Sequence, residues 1–246
     1  MNVMNNKVCL VTGASRGLGK ALALEFGRQG ARLAINSRSA SANELAETER
    51  ALTNLGVQVL SVVADISVRA DVERLAGEAL SHFGHVDVLV NNASALGPTP
   101  MPYLIDTPIA DFEQVLRTNM TGPFMLTRAL VGQMIARKSG SIINVSSDAG
   151  VVGYASWGAY GVSKSALDHL TRIWATELNG TGVRVNSVDP GDMNTSMKRA
   201  SDPEGDSSGW ADPQSVTPVF VYLASDESAE ISGQRFLAQE FELKKQ

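Results

Sequence analysis

Among 246 residues there is one cysteine, Cys9, and there are three histidines, His82, His85 and His169. A single thiol excludes an intrachain disulfide framework, and its place in the apolar run Val8–Val11 points to a buried strand thiol rather than a reactive one. With so few soft or imidazole ligands, no metal centre is expected. Basic residues do not dominate either: 21 Lys and Arg stand against 26 Asp and Glu, a net charge of −5, and no basic run offers itself to a phosphate backbone. Nucleic acid is therefore not an expected partner. No apolar run approaches the roughly 20 residues of a membrane span, and the stretch Met1–Lys7 lacks the apolar core of a signal peptide. The expected location is cytoplasmic, with no membrane partner. Low-complexity linkers and internal repeats are missing too, which leaves one domain over residues 1–246.

What is present is an ordinary core-forming composition, 43% hydrophobic and 19% charged. Short β-branched runs alternate with longer amphipathic segments. The runs predict strands at Lys7–Thr12, Arg32–Asn36, Gln58–Ala64, Val86–Asn91, Ser141–Ser146, Val183–Val188 and Arg235–Ala238. Helices are predicted over Gly17–Gln29, Ala42–Leu55, Arg69–Phe83, Ala110–Arg137, Trp157–Leu178 and Pro213–Ala224. Such alternation implies an α/β fold, a doubly wound parallel sheet with helices on both faces and right-handed crossovers. Ligands in that architecture bind at the carboxyl ends of the strands.

The first of those ends carries Thr12-Gly-Ala-Ser-Arg-Gly-Leu-Gly19. Gly13, Gly17 and Gly19 let the backbone turn sharply and approach a diphosphate, which the following helix N-terminus favours. Strand before and helix after make this a dinucleotide site rather than a plain turn. Gly13-Ala-Ser-Arg-Gly17 also fits the Gly-x-Ser-x-Gly elbow of serine hydrolases, with Ser15 as nucleophile. Against that, the elbow would sit on the first strand, with no earlier strand to carry an oxyanion loop, and the histidines fall in or beside predicted helices. The second strand ends in Asn36-Ser-Arg38, where an NAD-binding site would place a carboxylate. Arg38 and Arg16 instead suit the 2′-phosphate of NADP. Asp65 closes the third strand and is placed to contact adenine. Asn92, closing the fourth, is equally suited to capping the chain there. Asn119 interrupts the long helical segment Ala110–Arg137 among poor helix formers, which is where a helix kinks.

The remaining chemistry lies between Ser147 and Lys164. Tyr160 and Lys164 are four apart on a helical pattern and so share a face. A fixed ammonium favours a phenolate and would pull the phenol down from its ordinary value of about 10. Tyr160 could then exchange a proton with a reacting oxygen that Ser147, at the end of the fifth strand, also hydrogen-bonds. The pair alone is a weak signal, since chance supplies one in roughly ten chains of this composition.

Taken together, Thr12-Gly-x-x-x-Gly17-x-Gly19, Asn91-Asn-Ala93, Asn119, Ser147, Tyr160-x-x-x-Lys164 and Pro190-Gly191 resemble the short-chain dehydrogenase/reductase family, in its single-domain branch, over nearly the whole chain. The resemblance implies strands in the order 3-2-1-4-5-6-7 and a catalytic tetrad of Asn119, Ser147, Tyr160 and Lys164. It makes Tyr160 the general acid in reduction, Ser147 the carbonyl-orienting donor, Lys164 the holder of the cofactor ribose, and Asn119 the residue that positions a relay water. It places Gly13, Ser15, Arg16, Gly17, Leu18, Gly19, Arg38, Asp65, Ile66, Asn92, Pro190, Gly191 and Thr195 around NADP(H). The partner would be a small carbonyl or alcohol, and the assembly a homodimer or homotetramer joined through Ala110–Arg137 and Trp157–Leu178. A cofactor-sensing protein of the same fold would not need Ser147, Tyr160 and Lys164 together. Leu96, Tyr154, Trp157, Met193 and Met197 offer apolar surface for a ketone, aldehyde or 3-oxoacyl substrate, with residues 192–210 as a lid. Three departures are visible. Ser94 stands where the family usually has glycine, Asp189 replaces a small residue before Pro190, and the tail after Ser232-Gly-Gln234 lacks the usual Asp-Gly-Gly.

Overall fold

The computed structural model describes residues 3–242. Seven parallel strands form one sheet in the order β3-β2-β1-β4-β5-β6-β7. They are β1 (Val8–Val11), β2 (Arg32–Ser37), β3 (Val59–Val63), β4 (Val88–Asn91), β5 (Gly140–Val145), β6 (Val183–Asp189) and β7 (Arg235–Leu237). Between them run α1 (Gly17–Arg28), α2 (Ala42–Asn54), α3 (Arg69–Phe83), α4 (Ile109–Leu116), α5 (Gly122–Arg137), α6 (Gly158–Glu177), α7 (Ser196–Ser201) and α8 (Thr217–Ala224).

The strand residues alternate between two cores because successive side chains leave opposite faces of a strand. Cys9, Val11, Leu33, Ile35, Val88 and Val90 pack on one face with Leu22 and Phe26 of α1, Leu45 and Leu52 of α2, and Phe220 and Leu223 of α8. Val8, Leu10, Ala34, Leu89, Ile142 and Val185 pack on the other with Val72 and Leu75 of α3 and Leu126 and Leu130 of α5. Both faces are covered, which is why these strands read as unbroken apolar runs in the sequence. Each fully buried Leu or Phe contributes about 1.5–3 kcal/mol, so the two cores hold the sheet against the entropy of the loops. Cys9 is buried, as expected, and burial pushes its thiol well above the ordinary range. Among the described residues no helix is long and apolar enough to cross a membrane, and no group of His, Cys, Asp and Glu is placed to hold a metal ion.

The one long predicted helix, Ala110–Arg137, is divided. Ile109–Leu116 and Gly122–Arg137 are α-helical, and Arg117–Thr121 between them is a π-helical segment that carries the buried Asn119. The wider turn lets an amide enter the interior without breaking the helix, and such bulges cluster at functional sites. The last predicted helix is shorter than its pattern, beginning at Thr217 rather than Pro213.

Candidate active site

The strands' carboxyl ends are brought level by the parallel register, with Val11 paired to both Ile35 and Val90, and Asn91 to Asn144. The glycine loop follows β1. Gly13 has φ +66°, and a Cβ there would lie 2.8 Å from Ala93 Cα. At Gly19 a Cβ would strike the Gly13 carbonyl oxygen and come within 2.5 Å of Asn92 Nδ2. The loop is thus folded tightly onto the end of β4, and only glycine fits. α1 begins with no capping side chain and no acidic residue in its first turn, which leaves its N–H groups for an anion. These features fit a cofactor diphosphate.

Asn92 proves to be the brace of this loop: Nδ2 donates to the carbonyls of Thr12 (2.8 Å) and Gly13 (3.2 Å). The Thr12 hydroxyl accepts from the N–H groups of Asn92 and Ala93, both at 3.0 Å. Leu18 and Ile66 send their side chains into the two cores, so only their main chains face the site. Ser15 is buried, while Arg16 and Arg38 are exposed at the rim; Arg16 lies 4.0 Å from Glu44. Asp65 accepts from the N–H of Ser67 at 2.8 Å and so shapes its own turn. The elbow reading of Ser15 fails for want of a base. His82 contacts Gln58, His85 pairs with Asp87 and His169 contacts Arg172.

Ser147, Tyr160 and Lys164 meet because the turn Asp148–Gly150 packs tightly onto α6. A Cβ at Gly150 would lie 2.9 Å from the Ser165 nitrogen, and one at Gly161 would lie 2.7 Å from the Ala149 carbonyl oxygen. The Ser147 hydroxyl donates to Asp148 at 3.0 Å, and Tyr154 donates to the other oxygen of that carboxylate at 2.9 Å. Tyr160 is buried, with Trp157 edge-on at 5.6 Å and Lys164 Nζ 5.4 Å from its ring centroid. Lys164 is 2% exposed and donates to the Val145 carbonyl at 2.7 Å.

The electrostatics correct one expectation. Burial pushes the Tyr160 phenol well above its usual value; the hydroxyls of Ser147 and Ser94 pull it down, while Asp189 and Asp148 add to the rise. Lys164 is not what lowers it. Its own ammonium is desolvated, down to about 8, with Asp168 and Asp189 opposing the fall. The Asn119 side chain is held by the neighbouring loop and by α6. Its Oδ1 accepts from Ala95 N–H (2.8 Å) and Ser94 O–H (3.1 Å), and its Nδ2 donates to the Ala95 carbonyl and to Ser163, both at 2.9 Å. The side chain is fully used in bracing.

At the end of β6, Asp189 accepts from Gly191 N–H at 2.9 Å and from Arg235 at 2.8 Å, and Arg235 also reaches Asp168 at 3.2 Å. Burial raises the Asp189 carboxyl. Gln239 donates to the carbonyls of Pro190 and Asp192, fixing the Pro190-Gly191 turn. Residues 192–210 contain α7, capped by Thr195, and Lys198 ties Asp192 (2.9 Å) to Asp202 (3.6 Å). A Cβ on Gly17 would lie 3.3 Å from Thr195 Cγ2, so this segment already reaches the glycine loop. Met193 bridges to Ala211 and packs on a core, whereas Leu96 and Trp157 are partly buried and Tyr154 and Met197 are exposed. Sequence reasoning missed Asp148, Ser163 and Gln239. Each is an ordinary polar residue marked only by standing beside a catalytic or turn position.

Comparison with known proteins agrees with this geometry. The sequence pattern of the short chain dehydrogenase family matches residues 7–205. The 3-oxoacyl-[acyl-carrier-protein] reductase FabG of Thermotoga maritima is 33% identical over 239 residues, covering 94% of this chain and 95% of its own. A Pseudomonas syringae protein assigned to the short chain dehydrogenases superposes with a TM-score of 0.91 at 36% identity, covering 97% of this chain and 96% of its own. A Shigella flexneri structure of the same assignment, complexed with NADP, gives 0.88 at 27% identity, covering 97% and 99%. The chain is therefore an oxidoreductase enzyme and belongs to the short-chain dehydrogenase/reductase family.

Proposed function

We propose that the chain is an NADP(H)-dependent ketoreductase in which Tyr160 is the general acid. The observation that carries this reading is the buried phenol of Tyr160 flanked by the Ser147 hydroxyl and by Lys164. When bound, NADPH supplies a hydride to the carbonyl carbon. Tyr160 gives its proton to the carbonyl oxygen as that oxygen gains charge, leaving phenolate and alcohol. Ser147 turns its hydroxyl from Asp148 to the same oxygen and orients it. Lys164, buried with its Nζ 5.4 Å from the phenol ring centroid, is the group proposed to hold the ribose. A water-orienting role for Asn119 falls to its main chain, since its side chain is engaged. In the reverse direction Tyr160 is the base.

Arg16 and Arg38 at the rim and the lack of a carboxylate after β2 support NADP(H) over NAD(H). Leu96, Tyr154, Trp157 and Met197, with residues 192–210 as lid, suit an apolar ketone, aldehyde or 3-oxoacyl group. The exposed faces of α5 and α6 are the surfaces proposed for a homodimer or homotetramer. The cofactor assignment is tested by titrating NADPH and NADH into wild type and Arg38→Asp. The variant is expected to lose roughly ten- to hundredfold in NADPH affinity, with NADH within about twofold. Equal losses for both would remove Arg38 from the 2′-phosphate site.

A further inference from the structure

The chain departs from the family pattern at Asp189, before Pro190, and again in the tail after Ser232-Gly-Gln234. In the fold these two departures touch. Arg235 of β7 donates through Nη2 to Asp189 at the end of β6 (2.8 Å) and through Nε to Asp168 of α6 (3.2 Å). Both carboxylates are buried, and Asp168 Oδ1 has no partner among the described residues, so Arg235 is what holds that carboxylate. Lys164, one turn before Asp168 on the same face of α6, is buried as well. Four residues further along the tail, Gln239 donates to the carbonyls of Pro190 and Asp192. It sits so close that a Cβ on Gly191, which has φ +68°, would lie 2.5 Å from Gln239 Nε2. Asp189 in turn accepts the Gly191 N–H at 2.9 Å. The tail thus grips the Pro190-Gly191 turn at Asp189, Pro190 and Asp192.

We propose that Arg235 is a positioning residue for the nicotinamide half of the cofactor, tying the Pro190-Gly191 turn, through Asp189, to the helix that carries Tyr160 and Lys164. This rests on the reading of the site as one for NADP(H). The sheet order says which half of the cofactor is concerned. Arg38 follows β2 and Gly191 follows β6, four steps away in the order β2-β1-β4-β5-β6. At roughly 4.8 Å per strand these ends are about 19 Å apart, so the part of the cofactor at Gly191 is the end remote from the 2′-phosphate. That end must lie beside Tyr160 if hydride and proton are to reach one carbonyl. Arginine suits the task because its planar fork sets the direction of both carboxylates at once, where a lysine is a single point charge. Truncating it leaves Asp168 and Asp189 buried without their counter-charge, and the strain is relieved when the end of β6 moves away from α6. The turn follows Asp189, while Arg38 and the glycine loop, at the far end of the site, keep their places.

The test titrates two ligands by calorimetry: NADPH, and adenosine 2′,5′-bisphosphate, which carries the adenine and the 2′-phosphate but no nicotinamide. The proteins are wild type, Arg235→Gln, Arg235→Lys, Asp189→Asn and the Arg235→Gln/Asp189→Asn double variant. Arg235→Gln is expected to lose roughly tenfold in NADPH affinity while its affinity for the bisphosphate stays within about twofold. Arg235→Lys should recover part of the loss. The double variant should lose no more than the weaker-binding single, as two residues acting as one unit require. It also removes the uncompensated charge at position 189, so it carries the same comparison if Arg235→Gln does not fold. NADPH affinity unchanged in every variant, or equal losses for NADPH and the bisphosphate, would overturn the assignment of Arg235. A wild type that binds neither ligand would instead overturn the cofactor reading beneath it.

Discussion

Lys164 is the residue whose environment is most costly. A lysine ordinarily titrates at 10.5; here it is 2% exposed and drawn down to about 8. Below about 8 both folded and unfolded chains carry the proton, and the fold bears the desolvation cost in full. Between about 8 and 10.5 the unfolded chain holds a proton that the folded chain has lost, so stability should rise with pH across that window. Lys164→Met is expected to remove this rise and to stabilise the protein at neutral pH by about 1–3 kcal/mol, with the orphaned Val145 carbonyl limiting the gain. Urea unfolding from neutral to alkaline pH measures both effects, and a variant less stable than wild type at neutral pH would contradict them. Retention of so expensive a group is what a functional role for Lys164 would require.

At the scale of the element, the glycine loop and the π segment show what pattern reading captures. The loop's glycines were legible because their consequence is steric. Gly19→Ala should push a methyl into the Gly13 carbonyl and the Asn92 amide, costing about 1–3 kcal/mol and weakening NADPH binding severalfold. Thermal unfolding and a fluorescence titration check this, and an alanine variant with unchanged affinity would show that the loop does not hold the diphosphate. The break near Asn119 was legible as an irregularity among poor helix formers, yet its form was not. A π bulge and an α kink leave the same residues in the sequence. Only tertiary contacts from Ser94, Ala95 and Ser163 decide between them. Similarly, Asn92 reads equally as ligand or cap until its amide is seen on Thr12 and Gly13.

For the whole molecule, the parallel sheet and its two covered faces followed from alternation, because a parallel sheet buried on both faces writes continuous apolar runs, while the strand order followed only from the family resemblance. What alternation does not carry is the balance of fields at the site. The sequence places Lys164 one turn from Tyr160 and suggests that it sets the phenol's acidity. The folded chain sets burial, Asp189 and Asp148 against the two serine hydroxyls instead. Asp189 reads in the sequence as a departure, and the fold gives it work in tying Gly191 to Arg235 at the base of the lid. Two of the three departures from the family pattern, Ser94 and Asp189, thus lie beside the candidate site. The most direct measurement is NADPH oxidation by wild type and Tyr160→Phe against aliphatic, aromatic, diketone and acyl-thioester carbonyls, with NADPH binding followed in parallel. Turnover on at least one class that falls at least a thousandfold, on the order of the loss of a general acid, with binding within about twofold, is the result expected. A phenylalanine variant that binds NADPH and reduces the same carbonyl at the wild-type rate would contradict the account.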